Sequence, residues 1–178
     1  FTPTYMNMGM HMLNIMYAPT DWLNLMLMPQ FVDMDMNLRE LDGRPPPNAD
    51  VHEHTGIAGH ATGGVGDTII SALVNLYDIP GHHLHMGVGI SAPTGKTDLE
   101  LRRVFQEDGG FIHFGMQLGS GTWDFLPSLT YTGEIDRWGW GVQLNGIVRM
   151  EEQNDSGYRL GDMFQTTAWG SYNFTNWL

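Results

Sequence analysis

The sequence predicts an all-β protein, an antiparallel up-and-down transmembrane β-barrel, and three observations carry that expectation. Apolar and polar residues alternate with period two over runs of 10 to 13 residues, as in a strand whose two faces meet different surroundings. Such runs exceed the roughly 5–6 residues usual in soluble sheets and match the roughly 9–11 of a tilted membrane-crossing strand. The connections alternate between short and long, and aromatic residues gather on the short side, which is how outer-membrane barrels are built.

In chain order, the first hairpin turns at 18–21, and its faces depend on register. With Tyr17 opposite Leu23, residues Leu13, Ile15, Leu25, Leu27 and Phe31 face lipid. Met6, Met8, Met10, Met12, Met26 and Met28 then line the interior, and His11 is the misfit. With Tyr17 opposite Trp22, the Met8–Met16 row faces lipid and Asn14 is the misfit. A long polar loop at 38–65 follows, then a strand that ends near Tyr77 and a short turn at 78–82. Residues 83–92 set Leu84, Met86, Val88, Ile90 and Ala92 against His83, His85, Gly87, Gly89 and Ser91. After a long loop at 93–115, residues 121–133 set Trp123, Phe125, Pro127, Leu129 and Tyr131 against Thr122, Asp124, Ser128, Thr130 and Thr132, with Leu126 out of pattern. A short turn at 134–137 leads to 138–150, where Trp138, Trp140, Val142, Leu144, Val148 and Met150 oppose Gly139, Gly141, Gln143, Asn145 and Arg149. The loop at 151–161 precedes a last strand ending at Tyr172 and a short turn at 174–176.

Tyr17, Tyr77, Tyr131 and Tyr172 are each expected to end a strand before a short turn, and Trp22, Trp138 and Trp177 each follow one. Amphipathic rings settle at a membrane–water boundary, so this pattern predicts an aromatic girdle. The segment from Tyr17 to Leu23 is nearly copied from Tyr172 to Leu178. Trp177-Leu178 therefore reads as the opening of a further strand. That makes about seven strands and the start of an eighth in a single domain spanning residues 1–178. Closed bacterial barrels normally have an even strand number, so the sequence reads as part of a longer barrel, incomplete at one or both ends.

Composition narrows the partners. The 178 residues carry a net charge of −12, with 8 Lys and Arg against 20 Asp and Glu, and Lys96 is the sole lysine. Neutralising nucleic-acid phosphates or docking on an anionic bilayer surface needs the opposite sign. With no cysteine, disulfides, Cys zinc sites and thiol nucleophiles are excluded. No apolar run approaches the 18 or so residues of a membrane helix.

Four segments, Met10-His11-Met12-Leu13 through Met34-Asp35-Met36, Gly63-Gly64-Val65-Gly66-Asp67, Gly87-Val88-Gly89-Ile90-Ser91-Ala92-Pro93-Thr94-Gly95 and Gln117-Leu118-Gly119-Ser120-Gly121-Thr122, together resemble a family of outer-membrane transport barrels. That family is named after the meta pathway of phenol degradation and is loosely similar to the long-chain fatty acid transporter barrels. The resemblance covers nearly the whole chain. It implies an outer-membrane barrel of a Gram-negative bacterium with a transport role, and it brings no catalytic or binding residues with it.

Several constellations invite chemistry. Gly95-Lys96-Thr97 resembles the end of a phosphate-binding loop, but the required earlier glycine is displaced and no helix follows, so a loop turn is expected. Asp33-x-Asp35-x-Asn37 opens like a calcium loop, yet Leu38 and Arg44 stand where Gly and Glu are needed. Ser71, Ser91, His83, His85 and Asp124 supply the residue types of a hydrolase triad without a Gly-x-Ser-x-Gly elbow. Nine of the 13 methionines lie in the first 36 residues. Thioethers suit Cu(I) but also fill apolar walls, which is the favoured reading. His52, His54 and His60 lie in the acidic first long loop, where imidazoles have no core to fill and could hold Cu or Zn.

These readings converge on a non-enzymatic barrel that passes a small solute, with no resident cofactor beyond that candidate Cu or Zn site. Its surroundings would be the lipid bilayer and other envelope proteins, with no nucleic acid. The alternative is a structural or anchoring barrel subunit without transport; a barrel lipase is the third and weaker expectation.

Overall fold

The computed structural model describes residues 2–39, 50–51, 58–100, 112 and 114–175. Eleven strands are present among them: β1 (Thr2–Met12), β2 (Ile15–Thr20), β3 (Leu23–Met28), β4 (Gln30–Arg39), β5 (Asp50–Val51), β6 (Ala58–Val65), β7 (Thr68–Ile79), β8 (His82–Ala92), β9 (Asp124–Ile135), β10 (Trp138–Arg149) and β11 (Met163–Tyr172). A single 3-10 turn at Phe114–Met116 is the one helical element of the described residues. None of their helices is long and apolar enough to cross a membrane. The protein is all-β and antiparallel.

The strands pair in two sheets, β1-β4-β6-β5 and β11-β10-β9-β8-β7-β3-β2. Three long runs pass from one sheet into the other. β1 and β2 are one run interrupted at residues 13–14, and its pairing keeps the same register on both sides, with Met12 opposite Gln30 and Ile15 opposite Leu27. β3 and β4 continue one another across Pro29, which cannot donate to a ladder and so marks the interruption. β6 and β7 join through Gly66-Asp67. Phe31 faces Val65 while Met28 faces Ile69, so this run carries one extra residue, a bulge that bends the strand. Seven antiparallel runs in chain order result, matching the seven strands expected. Among the described residues β11 is not paired with β1 or β2, so the meander is open and no closed barrel is formed by them. The expected eighth strand at Trp177-Leu178 lies outside the described residues.

The short connections are two-residue turns at 21–22, 80–81 and 136–137. Gly81 has φ of 82°, and a Cβ there would stand 2.7 Å from the Glu134 carbonyl oxygen. That carbonyl lies near the end of neighbouring β9, where the Glu134 N–H donates back to the Gly81 carbonyl, so glycine is needed both for its dihedral angle and for its missing side chain.

Cross-strand partners share a face, so the ladders sort every side chain. On one face lie Leu25, Ala72, Val88 and Pro127 in one row, and Leu27, Ile70, Ile90, Phe125 and Val148 in another. This face is bare: Ile70 is 60% exposed and Val148 43%. On the opposite face Asn75, His85, Thr130, Gln143 and Thr167 make one row, and Met28, Ile69, Ser91, Asp124 and Arg149 another. Ile112 and residues 114–122 fold over this second face at the long-loop end. There Ile112, Met116 and Leu118 bury themselves against Val32, Met34 and Met36. This cluster is the hydrophobic core of the described residues, at about 1.5–3 kcal/mol for each large side chain fully buried. Gly64 makes room for it, since a Cβ there would come within 2.8 Å of the Leu118 side chain.

The first hairpin is settled by register. Tyr17 stands opposite Leu25, neither Leu23 nor Trp22, and Ile15 opposite Leu27, while Met16 stands opposite Met26. The faces are therefore those of the first alternative: Ile15, Tyr17, Leu25 and Leu27 on the bare face, the methionines on the covered one. Leu126, the residue out of pattern in β9, sits on the covered face opposite Gly89, where the missing side chain leaves room for it.

Candidate functional site: the covered face and its loop latch

The loops at the long-loop end are fastened to the covered face by a few side chains. Asp67 sits on the bulge between β6 and β7, which turns its carboxylate toward the loops. One oxygen accepts from Gly95 N–H at 3.0 Å; the other accepts from Ser120 N–H at 2.7 Å and Ser120 Oγ at 2.9 Å. Charge-assisted bonds of this kind are about twice as strong as neutral ones. Gln117 bridges both ends of the same loop: its Oε1 accepts from Leu99 N–H at 3.0 Å, and its Nε2 donates to the carbonyls of Leu99 and Ile112, both at 3.1 Å. Asn154, from the last long loop, donates to Ser120 O at 3.1 Å and accepts from Ser156 N–H and Tyr158 N–H. The rings of Phe114 and Tyr158 stack with centroids 3.6 Å apart, tying the two loops together.

Below this latch Arg149 pairs with Asp124, whose side chain is only 4% exposed. The remaining oxygen of Asp124 accepts from Thr122 Oγ1 at 2.7 Å. A buried carboxylate is tolerated because both oxygens are satisfied. Arg149 N–H also donates to Asp162 Oδ1 at 2.9 Å, holding the end of β10 to the loop before β11.

Further along the covered face the surface stays polar. Asp78 Oδ1 lies 2.7 Å from His83 Nδ1, and the rings of His83 and His85 stack at 6.5 Å. His82, on the bare face, meets the Tyr131 hydroxyl at 2.8 Å. Tyr17, Tyr77, Tyr131, Trp138, Trp140 and Tyr172 all fall on the bare face toward the short-turn end. Most of the tyrosines sit two to four residues before the strand end rather than at it, because β2, β7 and β9 run on to Thr20, Ile79 and Ile135; Tyr172 is the last residue of β11.

The structure sorts the candidate sites of the sequence. Gly95-Lys96-Thr97 is a loop turn, as expected. Gly95 N–H is taken by the Asp67 carboxylate, and the carbonyls of Lys96 and Thr97 accept from Leu118 N–H and Ser156 Oγ. A carboxylate stands where an anionic phosphate would need to lie. Asp33, Asp35 and Asn37 do share one side of β4, as alternation requires; Asp33 pairs with His11 at 3.2 Å across the ladder, both exposed. Ser91 stands opposite Asp124, but both Asp124 oxygens are engaged, and His85 lies six residues down β8, roughly 20 Å away at strand spacing. Ser71, His83 and His85 are not brought to Asp124 either. His52 and His54 lie outside the described residues, as does Trp177. The His60 backbone stands opposite Met36 in β6. Among the described residues no three His, Asp or Glu side chains cluster as metal ligands.

The latch residues Asp67, Asn154 and Gln117 were missed by sequence reading. The signal available was the position of Asp67 directly after three glycines in Gly63-Gly64-Val65-Gly66, since a polar residue after glycines inside a strand pattern marks a bulge.

The family model described as "Putative MetA-pathway of phenol degradation" matches residues 22–178. The chain belongs to that family, the one its sequence resembles. No curated protein matches it.

Proposed function

We propose that the chain forms the wall of an outer-membrane β-barrel in a Gram-negative bacterium and passes a small solute. One observation carries the reading: β3 and β7 to β11 present a continuous bare face rich in Leu, Val, Ile, Phe and Tyr, and β8 to β11 an opposite face rich in Asn, Gln, Thr, Ser and His. An exposed apolar face this extensive requires a membrane or a partner to cover it. Backbone in lipid must be paired internally, so a membrane-spanning form requires the edges at β11 and β2 to be paired. Tyr and Trp on the bare face at the short-turn end support a girdle there. No enzymatic step is assigned.

The test is conductance in planar lipid bilayers, with phenol as the first solute because the family description names phenol degradation. Stepwise conductance, and phenol flux into liposomes, is the expected outcome.

A second reading has its own observation. Ile112 and residues 114–122 cover the inner face at the long-loop end and are latched by Asp67, Gln117 and Asn154, as in a plugged structural or anchoring subunit. A silent bilayer together with tight association with other envelope proteins would favour it.

A further inference from the structure

Nine methionines of the first two runs fall on a single face. Met6 stands opposite Met36, Met8 opposite Met34, and Met16 opposite Met26, while Met10 and Met12 continue the row opposite Val32 and Gln30; Met28 lies on the same side of β3, opposite Ile69. The other face of these runs carries Ile15, Leu25 and Leu27 and no methionine. If methionine served only as an apolar filler it would interchange with leucine, and the two would mix. Here they are segregated strand by strand.

The row also does little packing where it is open. Met34 and Met36 are buried beneath Ile112, Met116 and Leu118, but Met6, Met8, Met10 and Met12 are 47%, 52%, 49% and 57% exposed. Alternation along a strand and pairing across it put the Cβ atoms of Met6, Met8, Met34 and Met36 at the corners of a rectangle of about 5 by 7 Å. Unbranched thioether side chains from four such corners can bring their sulfurs to one point above the centre.

We propose that this methionine ribbon is a binding site for a soft monovalent cation, Cu(I) or Ag(I), centred on Met6, Met8, Met34 and Met36. Thioether sulfur selects soft d10 ions and binds Ca²⁺, Mg²⁺ and Zn²⁺ poorly. Neutral ligands leave the charge of the ion uncompensated in the first shell, and the net charge of −12 favours a cation near it at longer range. The site depends on the shared face of two strands and stands whether or not the barrel conducts.

The test uses the folded chain in detergent under anaerobic conditions, titrated with the Cu(I)–bicinchoninate complex and in parallel with Ag(I). The wild type is expected to draw Cu(I) from the chelator, with sulfur as the nearest neighbour of copper in X-ray absorption. The Met6→Leu/Met8→Leu/Met34→Leu/Met36→Leu variant keeps side-chain volume and is expected to lose at least tenfold in affinity. Met6→Leu/Met8→Leu alone touches only half-exposed positions, so folding is not at issue, and a clear loss is expected there too. The Met86→Leu/Met150→Leu control, on the bare face and beyond β10, should bind as the wild type does. Copper left with the chelator by the wild type, or uptake by the two ribbon variants equal to that of the wild type, overturns the proposal.

Discussion

The two ends of the molecule solve the same alternation with opposite polarity. At the short-turn end the bare face is apolar across β2, β3 and β7 to β10, and the covered face is largely polar in β8 to β10 while β2 and β3 place Met16, Met26 and Met28 there. At the long-loop end the sense reverses: β1 and β4 carry Asn7, His11, Asp33, Asp35 and Asn37 on the bare face and Met6, Met8, Met10, Val32, Met34 and Met36 on the covered one. The reversal falls where the runs are interrupted, at residues 13–14, at Pro29 and at the Gly66-Asp67 bulge. What an apolar residue means in such a strand depends on height: at one end it faces whatever covers the bare wall, at the other it packs beneath a loop. His11 is no misfit once this is seen, because it lies above the apolar band and meets Asp33.

The largest effect should come from the anchor at the long-loop end. Arg149→Leu leaves the buried Asp124 without its partner, and removing one member of a buried pair costs about 3–5 kcal/mol. Denaturant unfolding of the detergent-folded protein should show the loss; a change below about 1 kcal/mol would mean the pair does not hold the latch.

Next comes the direct comparison of the two ends. Val142→Arg places a charge on the apolar part of the bare face and should cost about 2–4 kcal/mol of folding into bilayers. Asn7→Arg is on the same face at the other end and should stay within about 0.5 kcal/mol, as exposed surface changes usually do. Gln143→Arg, facing the polar side, should also be tolerated far better than Val142→Arg. Equal penalties at Asn7 and Val142 would break the polarity reversal.

Asp67→Ala removes an acceptor of three hydrogen bonds and should loosen the loops by about 1.5–3 kcal/mol. The expected readout is faster proteolysis near Gly95 and Ser120 at unchanged far-UV circular dichroism. The smallest effect belongs to His11→Ala, which breaks an exposed pair worth less than about 1 kcal/mol; thermal melting should barely move. A large drop there would place His11 in an apolar setting and undo the reading of the two ends.

Much of this was legible in the residues. Alternation in 83–92, 121–133 and 138–150 located β8, β9 and β10 with their correct faces, because period two is a local property of the chain. The first hairpin was not, because its methionines are apolar residues on the covered side, and hydropathy alone cannot separate a wall side chain from one lining the interior. The phosphate-loop resemblance of Gly95-Lys96-Thr97 dissolved for a related reason: its N–H partner, Asp67, is 28 residues away.

The sequence by itself determined the strand class, the antiparallel order and the alternation of short turns with long loops, since each rests on residues near one another in the chain. The tertiary structure alone decided the register of the first hairpin, the reversal of polarity along its runs and the latch that joins Asp67 to Ser120 across 53 residues. Those features depend on which distant segments meet, and an insertion of one residue at Gly66-Asp67 is enough to change every pairing beyond it.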